Sequence, residues 1–314
     1  MQTSEKFLYH SFPRPQNGHS DDQKALKILE SIFQSGLLLT PEIYKFSEEL
    51  NDGSGGPEKI VVQNRLCFTQ IGEDELSNHA KFFGNVSLEF EVSQLQQAHV
   101  CPVFYLPQDS KDLIWRGAFG SLLSRLAETH QLLERLQKFF EYSSNHSNSE
   151  EFLILTNKGD SFPTDIKIKD LHFLLSMLND GSQPFSEQLG AIKGLSNLFY
   201  PIENTKYTDK LGYYMQREWR MISNIKYRNK SLVNDLTTEE KDRLLELDKK
   251  YFDKEVIIPT GTFKRIDLCR FLRTINGKPI TELIKRIFVP NSILSETRDL
   301  LKKYDLEIEL CTSH

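Results

Sequence analysis

Four consecutive residues, Glu218-Trp219-Arg220-Met221, restrict the fold of this chain more than any other stretch. Charged and large apolar side chains alternate there, and an extended strand, with its side-chain period of two, sends them to opposite faces. Glu218 and Arg220 then share one face with Gln216. Arg217, Trp219 and Met221 share the other, where an indole and a thioether enter a core. An aromatic turn, Gly212-Tyr213-Tyr214, leads into the strand. A carboxylate flanked by guanidinium groups stays ionised at neutral pH, because nearby positive charge lowers its pKa. Such a group serves a sugar hydroxyl or a developing cation, or else it pairs with its neighbours within the sheet.

The rest of the chain supplies the elements such a strand needs. Phe7–Phe12 reads as an opening strand, short and aromatic, and carries His10. Ser20-Asp21-Asp22 caps a helix over Gln23–Ser35, whose Leu26, Leu29, Ile32 and Phe33 follow helical spacing up to Gly36. Leu37–Pro41 leads away from it, and Asn51–Pro57 reads as a flexible loop. Arg65–Thr69 is a second strand, followed by a helix over Glu73–Phe83 that carries His79 and stops at Gly84. Val86–Val92 alternates apolar and polar residues, as a half-buried strand does. Cys101–Pro107, bracketed by prolines, reads as a strand near a sheet edge.

The character then changes. Gly117–Tyr142 is one amphipathic helix with Leu122, Leu126, Leu133, Leu136 and Phe140 on a face. A polar linker over Ser143–Glu150, a strand at Phe152–Leu155 and helices over Asp170–Asn179 and Ser186–Leu198 follow. The expected organisation is a mixed α/β core in two halves, residues 1–108 and 201–314, separated by a mostly helical insertion over 109–200. In the second half, a helix over Thr237–Tyr251 with Thr238 as its cap precedes strands at Val256–Pro259 and Ile284–Pro290. A helix over Ile293–Lys303 and a last strand at Leu306–Leu310 are compatible with a parallel crossover.

Several chemistries find no support. The eight histidines form neither HxxxH nor HExxH, so no metal is expected. Gly53-Ser54-Gly55-Gly56 lacks the Lys-Ser/Thr and helix start of a phosphate loop, and no GxSxG is present. No apolar run is long enough to cross a membrane, and the start reads as no signal peptide. Four scattered cysteines fit free thiols in a reducing, cytoplasmic setting. The net charge of −5 opposes a protein that coats nucleic acid. Locally, Tyr207, Tyr213, Tyr214 and Tyr227 interleave with Lys206, Lys210, Arg217, Arg220 and Arg228. That mixture either stacks a planar ring beside phosphates, of a dinucleotide or of RNA, or is a solvated basic face.

Taken in order, Arg65–Thr69, Glu75–His79 through Phe83-Gly84, Pro102–Tyr105, Tyr213-Tyr214 through Arg217–Arg220, and Ile287–Asn291 resemble the AbiGi-type abortive phage-resistance family. The resemblance implies a cytoplasmic bacterial anti-phage protein with a toxin, antitoxin or phage-protein partner. In layout, His10 on the first strand, the helix ending in Gly36-Leu37-Leu38 and the late Glu218 are also similar to the ADP-ribosyltransferase fold. That second likeness implies NAD as a substrate and a macromolecular acceptor. Glu218 would orient the ribose, His10 would hold the other ribose, and Arg217 or Arg220 would contact phosphate. Tyr213, Tyr214 or Tyr105 would stack on nicotinamide. His79 is either a further binding residue or a hydrogen-bonded structural one. The expectations that compete are an NAD-dependent transferase, a non-catalytic antitoxin or sensor, and an RNA-binding or RNA-cleaving protein.

Overall fold

Strand β1, Phe7–Phe12, forms where its run of aromatic and apolar residues predicts it, and the main sheet is built outward from it. The structure is a computed structural model that describes residues 6–16, 19–46, 59–106, 113–157, 160–178, 188, 192, 199–201, 217–222, 226–227, 230–258 and 261–313. The expected flexible loop over Asn51–Pro57 and the aromatic turn with Tyr213 and Tyr214 lie outside the described residues, as does all of the helix expected over Ser186–Leu198 except Gln188 and Ile192.

Helix α1, Asp22–Ser35, starts where the Asp21 side chain accepts from the Lys24 backbone N–H at 2.9 Å. It buries Ala25, Leu26, Leu29 and Ile32. It ends at Gly36, whose φ of +94° belongs to the region that glycine enters without strain. The expectation that Leu37–Pro41 merely leads away is corrected: β2, Leu37–Phe46, is a strand, paired antiparallel with β3, Lys59–Thr69. Leu37 and Leu39 are buried in the main core while Leu38 packs against a second cluster with Leu244 and Phe271, so apolar residues cover both faces and the alternation that marks a half-exposed strand is missing. β3 also begins six residues before the expected Arg65.

A three-residue 3-10 turn, Glu73–Glu75, precedes α2, Leu76–Phe83, and β4, Val86–Glu91, pairs with β1 along its whole length. Short strands β5, Val100–Pro102, and β6, Phe104–Leu106, follow. After the insertion come β7, Phe199–Pro201, parallel to β6, and β8, Glu218–Ile222. Then come β9, Asn234–Asp235, helix α3, Thr238–Phe252, and β10, Arg270–Leu272. Thr237, rather than the expected Thr238, caps α3, in a reciprocal pair with Glu240. β11, Ile284–Val289, helix α4, Leu294–Lys303, and β12, Glu309–Thr312, close the chain. β12 begins later than the expected Leu306, because Asp305 at φ +52° ends the helix in a turn that the following residues complete.

The strands join in the order β9-β10-β2-β3-β1-β4-β11-β12, with β8 on the other side of β3 and β5 beyond it. Only β11 and β12 run parallel among these pairs, connected by α4, so the sheet is mixed. The fold is mixed α/β. One face of the sheet carries Leu8, Leu66, Phe68, Leu88, Phe90 and Met221 into the main core with α1 and Leu301 of α4. The other face carries Tyr9, Ser11, Ser87, Glu89, Thr69, Glu218 and Arg220, since paired residues share a face. Here the half-buried expectation for β4 is corrected: Ser87 and Glu89 are also buried, at 5% and 0% exposure. Leu76 of α2 packs with Tyr9 and Phe288 over this second face, so both sides of the strand are covered.

The chain forms two compact units, Met1–Asp109 with Asn197–His314, and Ser110–Ser196. The second contains a long helix, Leu113–Asn145, a hairpin of Phe152–Asn157 with Asp160–Lys167, and a helix, Ile168–Leu178. Leu133 and Leu175 are buried together there, with Leu136, Phe139, Phe140 and Leu171 around them. The side chains of Leu122 and Leu126 lie outside the described residues.

Candidate functional site

β8 follows the predicted alternation from Glu218 onward. Trp219 and Met221 turn to the main core, and Trp219 donates its indole N–H to Gln70 at 3.1 Å. Glu218 and Arg220 point to the second face, between Thr69 and Cys67 of β3 and Cys101 of β5. Arg217 departs from the pattern. Its φ of +43° breaks the strand's period, and its exposed side chain donates to Glu75 at 2.7 Å instead of joining Trp219.

The Glu218 carboxylate sits in a nest of internal donors. Arg220 donates from Nε to Oε1 at 2.8 Å and from Nη2 to Oε2 at 3.1 Å, and the Tyr105 hydroxyl donates to Oε2 at 3.0 Å. Arg220 is 2% exposed and Tyr105 8%. Burial alone would raise the Glu218 pKa. The Arg220 charge and hydrogen bonds, the Cys67 thiol and the Arg65 charge together outweigh it and hold the carboxyl below its usual range. Its partners respond in the complementary sense. Burial and then the Glu218 charge push the Tyr105 phenol up and the Cys67 thiol up to about 12. Cys67 is therefore a protonated donor and no nucleophile. Burial and the neighbouring Arg220 bring Arg65 down to about 10, and Arg65 pairs with Glu42. Two guanidinium groups and two carboxylates thus form one charge-balanced cluster.

Farther along the same face, Thr69, His79, Ser11 and Ser87 make a chain of hydrogen bonds. His79 Nε2 lies 3.1 Å from Thr69 Oγ1, its Nδ1 lies 3.3 Å from Ser11 Oγ, and that oxygen is 2.8 Å from Ser87 Oγ. Burial and the Arg14 charge lower the His79 pKa to about 4, against the opposing pull of Glu75. His79 is neutral at physiological pH and ties α2 to the sheet. Beyond it, Glu89 accepts from the Tyr9 hydroxyl at 2.7 Å and from Arg286 at 2.9 and 2.6 Å, and Arg286 also reaches Glu73.

His10 lies elsewhere. Tyr9 pairs with Thr69 and Thr69 with Glu218, so these three share a face, and His10, the next residue of β1, points to the opposite one. Its ring sits against Phe12 and Phe68, its Nδ1 is 2.9 Å from the Cys67 carbonyl, and burial lowers its pKa. The sheet separates the imidazole from the carboxylate that it was expected to face. Of the predicted site residues, Glu218, Arg220 and His79 occupy one face, Arg217 its margin, and His10 the other. Sequence reading missed Tyr9, Ser11, Cys67, Thr69, Ser87 and Glu89. The available signal was parity: in β1, β3 and β4 polar residues recur at every second position on a shared face.

Among the described residues no three His, Cys, Asp or Glu side chains gather to hold a metal ion. No helix among them is long and apolar enough to cross a membrane. A groove of about 330 Å³ between α4 and the last strand is lined by Arg298, Leu301, Lys302 and Leu310 and contains none of the residues above.

No curated protein and no solved structure matches the chain. A family match spans β3, α2, β4, β6, the second unit and β8, which together carry Cys67, Thr69, His79, Tyr105, Glu218 and Arg220, and it leaves His10 outside. The model of the family described as "Putative abortive phage resistance protein AbiGi, antitoxin" matches residues 59–255, more than half of the chain, and the chain belongs to that family.

Proposed function

We propose that this protein serves abortive phage resistance as an antitoxin that binds a protein partner, without catalysis of its own. The family's description supplies the setting. The observation that carries the non-catalytic reading is the state of Glu218, whose two oxygens accept three hydrogen bonds from Arg220 and Tyr105 while His10 is on the other side of the sheet. A carboxylate that positions substrate needs free acceptor capacity, and here an internal guanidinium and a phenol together take most of it. Expressed alone, the protein should leave growth unchanged. Co-expressed with the product of the adjacent gene, it should restore growth that this product stops. Arrest on expression alone would remove the antitoxin reading.

One observation favours a second reading, NAD-dependent ADP-ribosyl transfer to a macromolecule: Glu218 is held ionised beside Arg220. His10 does not fit the ribose-binding role that this reading gives it, because it points into the main core. On this reading purified protein would release nicotinamide from NAD, and growth arrest would disappear in Glu218→Gln.

A further inference from the structure

The second compact unit carries an apolar surface that its own packing does not use. Leu153, Ile168 and Leu175 are buried, at 8%, 2% and 4% exposure. In the same unit Phe152, Ile154, Phe173, Leu174 and Met177 remain 54–66% exposed. Two independent elements contribute. In the hairpin, Phe152 and Ile154 alternate with buried Leu153, so they stand on the face turned away from it. In the helix Ile168–Leu178, Phe173, Leu174 and Met177 fall at i, i+1 and i+4, on the side opposite Ile168, Leu171 and Leu175. The hairpin strands pair only with each other among the described residues.

The leucine face of the long helix is not this surface. Leu133, Leu136 and Phe140 are consumed inside the unit by Leu171 and Leu175. The exposed groups are instead those that the sequence placed in a strand and on the back of the next helix.

Size and charge together say what covers it. A large apolar side chain of about 150–250 Å² that is half exposed offers roughly 100 Å². Five of them supply on the order of 500 Å², more than half of the ~800 Å² that each partner contributes to a stable protein interface. An apolar patch of that size is at the upper end of what a monomer exposes and is often functional. Its surroundings are acidic: Glu150, Glu151, Asp160, Asp165 and Asp170 are exposed, and the two described lysines of this stretch, Lys167 and Lys169, are both paired with Glu150. Two copies of an acid-rimmed patch repel each other, whereas a basic-rimmed partner is drawn in.

We propose that the outer apolar surface of residues 152–177 is the docking face for a different protein, one that presents an apolar patch within a basic rim. This rests on the antitoxin reading and names the surface that would carry it out.

The test is titration of the full-length protein against the purified product of the adjacent gene. Phe173→Ser combined with Met177→Ser should weaken binding at least tenfold with circular dichroism unchanged. Ile154→Thr, on the other element, should weaken it in the same direction, and Phe82→Ser, an exposed apolar residue of the first unit, should not. Asp165→Lys with Asp170→Lys should slow association, and added salt should slow the wild-type association too. Wild-type binding with no loss in the Phe173/Met177 and Ile154 variants would overturn the docking face and leave the antitoxin reading standing. No wild-type binding to the product, under conditions where that product is folded, would sink the antitoxin reading itself. A wild-type dimer that the Phe173/Met177 variant dissociates would assign the surface to a second copy and overturn the proposal.

Discussion

Glu218 and Arg220 are two residues apart on one strand, and their side chains run along the same face into each other. Removing one charge of such a buried pair leaves the other without compensation, which costs about 3–5 kcal/mol. Glu218→Gln retains shape and some hydrogen bonding, so a loss near the lower end, roughly 3 kcal/mol at neutral pH, is expected in urea unfolding. The sign with pH follows from the depressed Glu218 pKa. The carboxylate's contribution is present above the unfolded value and is lost as pH falls through the folded one, so wild type and variant should converge in acid. An unchanged difference at low pH would mean that the substitution acts through packing rather than charge. His79 has a separate window. Its folded pKa of about 4 lies below the ordinary value of 6.5, so the unfolded chain binds the extra proton. Stability is full above 6.5 and declines between 6.5 and 4, by on the order of 3 kcal/mol from this group. His10 adds to the decline in the same direction. His79→Gln should flatten that slope while keeping a hydrogen-bonding amide against Thr69 and Ser11. A slope identical to wild type would show that His79 does not titrate with unfolding.

At the scale of elements, turns and caps fix where the polar face is formed. Gly36 ends α1 and starts β2 in one residue, and a Cβ there would come within 2.2 Å of the Leu272 carbonyl oxygen. Gly36→Ala adds left-handed strain of about 1–2 kcal/mol, and the clash must push β10 away from the end of α1. A combined loss of at least about 2 kcal/mol is expected, read as a lower thermal midpoint, and an unchanged midpoint would contradict the close approach. The elements that were legible in the sequence are those with strong periodicity and an explicit stop. β1, α1 and the α2 segment stop at Pro13, Gly36 and Gly84, where the sequence places the breaks. β2 was illegible because Leu37-Leu38-Leu39-Thr40-Pro41 has neither alternation nor a helical period, and only its neighbours make it a strand. Arg217 was placed on the wrong face because no local signal announces a positive φ in an arginine.

For the whole molecule, the two faces of the sheet separate groups that their order along the chain suggests as neighbours. β3 organises this, since β2, β1 and β8 all pair with it, and Thr69 alone aligns Tyr9 with Glu218. Ion pairing along the second face, from Glu42 through Glu218 to Arg286, accounts for charges that would otherwise suggest a catalytic cleft. The second unit shows the reverse: its helices were legible from their periodicity, but which apolar residues remain outside depended on how they pack on one another.

The sequence by itself determined the alternation of Glu218, Trp219, Arg220 and Met221, the ionised state of a carboxylate beside arginine, most strand and helix positions, and the family. These are local properties, set by side-chain period, capping and neighbouring charge. Only the tertiary structure decided that His10 and Glu218 stand on opposite sides of one sheet and that Tyr105 and Cys67 close around the carboxylate. Strand pairing is non-local, and a one-residue difference in register moves every side chain to the other face.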